Sequence, residues 1–233
     1  MGRTFACSDL HGNGKLWAEI KKFLNEDDIL YYLGDATDRG PDGWAILKEM
    51  LVDKRIIYIA GNHDIMLANR IARPNSYDDA ILHHCNGGSL TWDDAEKDPE
   101  ADTIKSKIRN LPLYKIYQNK DGLKIFMSHS GSTNIEDADA LIWDRDEYIT
   151  QQNYTEYDVI VHGHTTIPHL IKDLEKCYNF YNLDGVIKPR LAEWEGGAYW
   201  YHGFRCDIDC CTVGTDQTVL LNLDTFDEEI FEL

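Results

Sequence analysis

Short, largely apolar runs alternate with stretches that are apolar at every third or fourth position through the first sixty residues. The runs TFAC at 4–7, ILYYL at 29–33 and IIYIA at 56–60 carry almost no polar interruption, the pattern of strands covered on both faces. Between them, 13–24 places Leu16, Trp17, Ile20, Phe23 and Leu24 on one side of a helix, and 41–52 repeats the spacing. Strand, helix, strand, helix, strand predicts an α/β fold with a parallel sheet under helices. From about residue 65 to 110 the pattern turns helical, polar and acidic, and strands return at 113–117, 123–127, 159–161 and 219–223. One domain over 1–233 with a helical cap inserted at about 66–110 is the expectation. The aromatic-rich stretch 184–205 reads as a long excursion before the last strands, with Lys188 and Arg190 as surface charges. No solenoid-length repeat or low-complexity segment interrupts the chain.

The strand ends are less ordinary. The first three strands run into SDLHGN (Asp9, His11), GDATDRG (Asp35, Asp38, Arg39) and GNHD (Asn62, His63, Asp64), and two later ones into FMSHSG (His129) and IVHGHTT (His162, His164). Carboxyl ends of parallel strands share one edge, where open α/β sheets bind ligands. Charges set that close to a core are costly unless paired or metal-bound. Carboxylate, amide oxygen and imidazole together form the donor set of manganese, iron or zinc, and Asp35 can bridge two ions. A single Asp-x-His or Asp-Gly is ordinary turn chemistry, so the inference rests on five motifs in order. His83, His84, His169 and His202 read as surface or core histidines, and GNGK at 12–15 lacks the glycine and hydroxyl of a phosphate loop.

Charge narrows the partners. With 23 basic and 41 acidic residues the formal net charge is −18, which opposes nucleic acid and anionic membranes and demands a local positive site for any anionic substrate. No signal-peptide succession and no membrane-length apolar run is present, and the 6 cysteines form no CxxC pair, pointing to free thiols in a reducing cytoplasm.

In this order SDLHG, GDATDRG, GNHD, SHSG and HGHT resemble the calcineurin-like metallophosphoesterase superfamily, within it the phosphoprotein phosphatase branch: the small bacterial and bacteriophage Ser/Thr phosphatases and the symmetrical diadenosine tetraphosphatases. The resemblance implies a four-layer sandwich of two mixed sheets flanked by helices. It implies two divalent ions, manganese ahead of iron or zinc, one on Asp9, His11 and Asp35 and the other on Asp35, Asn62, His129 and His164. It makes His63 the catalytic acid paired with Asp38, and Arg39 and Arg145 the phosphate clamps. Asn86, in the cap-like NGGSLT, joins the substrate-binding set. Ser8 and Asp64 depart from the usual glycine and glutamate without touching a ligand position, and Thr166 stands where other branches carry a further ligand histidine. His162 is expected in a structural or supporting role. Hydrolysis of phosphoserine or phosphothreonine in protein or peptide is the leading expectation, or of a small phosphate ester. A dinucleoside polyphosphate is the alternative, for which Trp92, Trp194 or Trp200 could stack on a base. A non-catalytic binding module is the remaining rival.

Overall fold

The computed structural model describes residues 2–145, 156–181 and 194–233, so Lys188 and Arg190 lie outside the described residues. The opening alternation is β1 (Thr4–Cys7), α1 (Gly14–Phe23), β2 (Ile29–Tyr32), α2 (Gly43–Met50) and β3 (Ile56–Tyr58). The three strands pair in parallel, Thr4 opposite Ile29 and Leu30 opposite Ile56. Asn13 starts α1 by accepting the Leu16 N–H at 3.1 Å, and the helix buries Leu16, Trp17 and Ile20, each worth about 1.5–3 kcal/mol of transfer free energy.

Four helices separate β3 from the second half: α3 (Asn62–Ala72), α4 (Tyr77–Cys85), α5 (Ser89–Ala95) and α6 (Ala101–Arg109). There follow β4 (Tyr114–Gln118), β5 (Lys124–Ser128), α7 (Ala138–Trp143), β6 (Val159–His162), α8 (Ile167–Tyr181), β7 (Tyr199–Tyr201), β8 (Arg205–Asp207), α9 (Thr212–Thr215), β9 (Gln217–Asn222) and β10 (Glu228–Glu232). They form two five-stranded mixed sheets, ordered β10-β9-β1-β2-β3 and β4-β5-β6-β8-β7.

Alternation along each strand explains the layering. Phe5 and Cys7 of β1 face outward into a core shared with α1, α2 and α6, whereas Ala6 faces inward. From the other sheet Ile125, Met127, Val159 and Val161 also point inward, so the inner faces close on each other. Phe126 and Ile160 face out against Leu141 of α7. The result is an α/β sandwich of two mixed sheets flanked by helices. Within the expected excursion, Tyr199–Tyr201 forms the edge strand β7, antiparallel to β8. Among the described residues no helix is long and apolar enough to cross a membrane.

Candidate metal centre

The five motifs do not share one sheet edge. Asp9, His11, Asp35, Asn62 and His63 leave the ends of β1, β2 and β3, while His129 and His164 leave β5 and β6 of the facing sheet. The sandwich joins them across its rim, and all are buried. Tight turns make this possible: Asp9, His11, Asp35 and His164 all adopt left-handed backbone, φ between 44° and 68°. Gly34, at φ 94°, precedes Asp35 where a Cβ would overlap Gly61 and crowd His129.

Asp35 is the centre. Its Oδ2 lies 3.8 Å from His11 Nε2, 3.8 Å from His63 Nε2 and 3.3 Å from His129 Nε2, and its Oδ1 accepts the His63 N–H at 3.0 Å. Asp9 Oδ1 stands 3.7 Å from His11 Nε2, and Asp9 Oδ2 accepts from the Ser8 hydroxyl and from the His164 N–H at 3.1 Å. Asn62 Oδ1 sits 3.0 Å from His129 Nε2 and 3.1 Å from His164 Nδ1. Two donor groups with ligand atoms mutually within 4.8 Å result, His11, Asp35 and His63 on one side and Asp35, His129 and His164 on the other.

This set fits divalent ions. His11 Nδ1 donates to Thr37 O at 3.0 Å and His129 Nδ1 to Leu33 O at 2.6 Å. Carbonyls only accept, so both rings turn Nε2 inward, the arrangement that orients metal-binding imidazoles. The field also calls for a cation. Burial lowers the basicity of His129, yet Asp35, with Asp9 behind it, lifts its pKa to about 10. Asp35 itself is held well below the carboxylate range, because His129, His63 and His11 outweigh burial. A divalent ion would displace that proton. His11 is pushed down to about 3 and His164 well down, mainly by burial.

His63 stands on the first turn of α3. Its Nδ1 donates to Asp38 Oδ2 at 2.7 Å, and Arg39 reaches its Nε2 at 3.2 Å. Burial lowers its pKa, but Asp35 and Asp38 outweigh burial and the net shift is upward. The Arg145 guanidinium donates to His164 Nε2 at 3.2 Å, and Trp143 stands edge-on to the same ring. Arg39 and Arg145 are exposed beside otherwise buried groups.

Residues 2–168 match the sequence profile of the calcineurin-like phosphoesterases. The chain belongs to the calcineurin-like phosphoesterase family. A curated relative, the symmetrical bis(5'-nucleosyl)-tetraphosphatase of Proteus mirabilis (strain HI4320), is 27% identical over 139 residues, 56% of this chain and 45% of the relative. The chain thus matches about half the length of that relative. Among solved structures, a metallophosphoesterase from Sphaerobacter thermophilus superposes with a TM-score of 0.62 at 15% identity, covering 100% of this chain and 88% of the other. A protein serine/threonine phosphatase from Saccharomyces cerevisiae gives 0.52 at 13% identity, covering 100% and 80%. Identities this low establish the shared fold alone.

Two residues have parts in this site that their sequence context did not suggest. His83, expected at the surface or in the core, is buried with Nε2 2.9 Å from Asp38 Oδ1. Asp64 Oδ2 accepts the N–H of Asp35 at 3.1 Å and of Gly61 at 2.9 Å, tying the second and third motif turns together. Asn86 turns its amide back to Leu82 O at 2.8 Å, and Gly87 O instead accepts the Arg39 N–H at 2.9 Å. His162 lies outside the donor groups, its Nε2 2.6 Å from the Tyr201 hydroxyl and its ring packed over Gly131. The tryptophans considered for base stacking already have neighbours: Trp92 lies under Arg70, Trp194 packs on the inter-sheet core and Trp200 meets Phe226 edge-on. Cys7, Cys85, Cys206, Cys210 and Cys211 are free thiols.

Proposed function

We propose that this chain hydrolyses phosphate esters with two divalent ions, manganese ahead of iron or zinc, held by Asp9, His11 and Asp35 and by Asp35, Asn62, His129 and His164. The observation that carries this reading is Asp35, whose one oxygen faces both donor groups, 3.8 Å from His11 and 3.3 Å from His129. Such ions, when bound, supply an acidified water and neutralise phosphoryl oxygens. The chain's own groups supply the rest. Arg39 and Arg145 bind the equatorial oxygens of the phosphoryl group, whose charge must be matched in the transition state. His63 hands a proton to the leaving oxygen from Nε2, its ring held by Asp38 at Nδ1.

A phosphoserine or phosphothreonine side chain is the preferred substrate. A groove of about 290 Å³ beside the site is lined by His11, Lys15 and Arg39, by Asp42 and Asp216, and by the apolar Leu10, Pro41 and Val213. Two cationic side chains balanced by two carboxylates leave the groove without a net positive charge, which suits a neutral peptide segment better than a run of phosphates. The second reading, a dinucleoside polyphosphate, draws on the name of the Proteus mirabilis relative. Initial rates with saturating manganese on a phosphothreonine peptide and on diadenosine tetraphosphate decide between them. The peptide is expected to have the higher kcat/KM; a clear preference for the dinucleotide overturns the substrate assignment, and no turnover of either overturns the activity.

A further inference from the structure

We propose that His83 is a positioning residue, holding Asp38 so that Asp38 can hold His63, an inference that rests on the phosphoesterase reading above. The Asp38 carboxylate is completely buried and binds two imidazoles, His63 Nδ1 on Oδ2 at 2.7 Å and His83 Nε2 on Oδ1 at 2.9 Å. A carboxylate only accepts, so both rings must present N–H to it. Hydrogen bonds to both oxygens hold the carboxylate below the usual range against its burial.

His83 has no second polar engagement among the described residues: its Nδ1 lacks a hydrogen-bond partner, and its ring is fully buried. Burying an imidazole with one nitrogen unpaired costs about 1–3 kcal/mol, which a merely space-filling side chain would avoid. The surrounding helices make room for it. A Cβ at Gly88 would overlap the His83 ring, so glycine there admits the imidazole. From the same helix pair Thr91 Oγ1 of α5 accepts the Asp38 N–H at 2.9 Å, and Gly87 O in the turn between the helices accepts the Arg39 N–H at 2.9 Å. Asp38 and Arg39 sit at φ 70° and 66°, a conformation that persists only where neighbours over-determine it. The hairpin of α4 and α5 therefore grips this turn by two backbone groups and one carboxylate oxygen, and His83 is the grip on the oxygen.

Without His83, Oδ1 is a buried anionic acceptor with nothing to accept from, and the carboxylate turns away from His63. Proton delivery then suffers, whereas metal and phosphate binding do not. The test compares His83→Phe, which keeps the ring volume and removes the donor, with His83→Gln, whose amide nitrogen reproduces the Nε2 donor. In the manganese-loaded protein, His83→Phe should lower kcat for a phosphothreonine peptide about 10–100-fold, the range seen when an outer partner of a site residue is removed. Nitrophenyl phosphate, whose leaving group needs little protonation, should lose less than about 3-fold. KM and bound metal should stay unchanged, and His83→Gln should restore the peptide rate. In a His63→Asn background, His83→Phe should cause no further loss. Equal losses on both substrates, or a further loss in that background, overturn the role.

Should the chain turn over no phosphate ester, nitrogen-15 spectra of the histidine rings still decide. The slowly exchanging His63 Nδ1–H should be present in the native chain and in His83→Gln and be lost in His83→Phe; its survival there overturns the inference whatever the activity. If His83→Phe does not fold, His83→Asn, too short to reach Asp38, takes its place in every arm.

Discussion

Replacing Asp35 by asparagine tests the centre at its most exacting point. The two carboxylate oxygens have different duties: Oδ1 accepts the His63 N–H at 3.0 Å, and Oδ2 faces His11, His63 and His129 at 3.8, 3.8 and 3.3 Å. Asparagine is isosteric but keeps one acceptor. If its oxygen stays on the His63 N–H, its amino group takes the place of Oδ2 and aims N–H donors into both donor groups. If it flips, two donors meet at His63 N, leaving a buried donor unpaired at about 1–3 kcal/mol. The first orientation wins, and neither proposed ion retains the ligand it shares. Removing an outer partner of a metal ligand costs about 10–100-fold in affinity, so losing a shared ligand should exceed about 100-fold for each ion. That is about 2.7 kcal/mol or more apiece. Metal-free protein equilibrated with manganese, followed by calorimetry and metal analysis, reads this directly. Two ions are expected in the native chain and fewer than one in Asp35→Asn at the same free manganese. Two ions bound to the variant with native affinity would refute the shared-ligand reasoning, irrespective of any activity assay.

Further outcomes arise from the same geometry. His63→Asn should lower kcat on alkyl phosphates by about 10²–10⁴-fold, the usual worth of general acid–base catalysis, with a smaller loss on nitrophenyl phosphate and unchanged metal content; equal losses would remove His63 as the proton donor. Dialysis against a chelator should abolish hydrolysis and manganese should restore it, whereas full activity in demetallated protein would reject the metal requirement. Far from the site, Arg3 binds Asp28 through paired hydrogen bonds and outweighs burial, lowering the carboxyl from 3.8 to about 2. The folded pKa is the depressed one, so this stability is complete above pH 4 and is lost as pH falls through about 2. The shift corresponds to about 2 kcal/mol, reduced toward about 1 because Arg3 is a third exposed. Denaturant titrations of Asp28→Asn at pH 7 and pH 2 should differ from the native chain at the first pH and converge at the second; a constant difference would contradict the assignment.

Where the sequence was legible, the reason is short range. The alternation of β1 to β3 with α1 and α2 is written in contiguous apolar runs whose successive residues face two cores, Phe5 and Cys7 one way and Ala6 the other. Nothing local states that β5 and β6 belong to a second sheet, since that pairing is decided by strands far apart in the chain. The first three motifs do share one edge, that of β1, β2 and β3, and the last two come from the facing sheet. β8 escaped notice because its residues are Arg205, Cys206 and Asp207, polar in sequence yet buried in the structure, with Arg205 Nη1 donating to Gly131 O at 2.9 Å. β10, with Glu228, Glu229 and Glu232 on a sheet edge, has the charge that edges use against aggregation. His83 was hidden for another reason. A lone histidine in an amphipathic helix carries no chemistry of its own, and only Gly88, five residues on, hints that an imidazole must fit beneath the turn.

The backbone strain is concentrated where the donors are. Asp9, His11, Asp35, Asp38, Arg39 and His164 all hold positive φ, each at a cost of about 1–2 kcal/mol for a residue with a Cβ. Together they approach the whole net stability of an ordinary domain, about 5–15 kcal/mol. Such turns survive because the strands deliver backbone partners to them: Asp9 N–H binds Gly34 O at 3.1 Å, His11 N–H binds Asp35 O at 3.1 Å, and Gly40 N–H binds His11 O at 2.9 Å. The first motif turn is therefore bonded to the second, and Asp64 bonds the second to the third. In an extended strand Asp9 and His11, two residues apart, would share a face but stand about 6–7 Å apart along it; the left-handed turn brings their ligand atoms to 3.7 Å, beside Asp35. The strain is what aims the donors, and the sheet-to-sheet core that buries Ala6, Leu33, Met127 and Val161 supplies the stability that keeps them aimed.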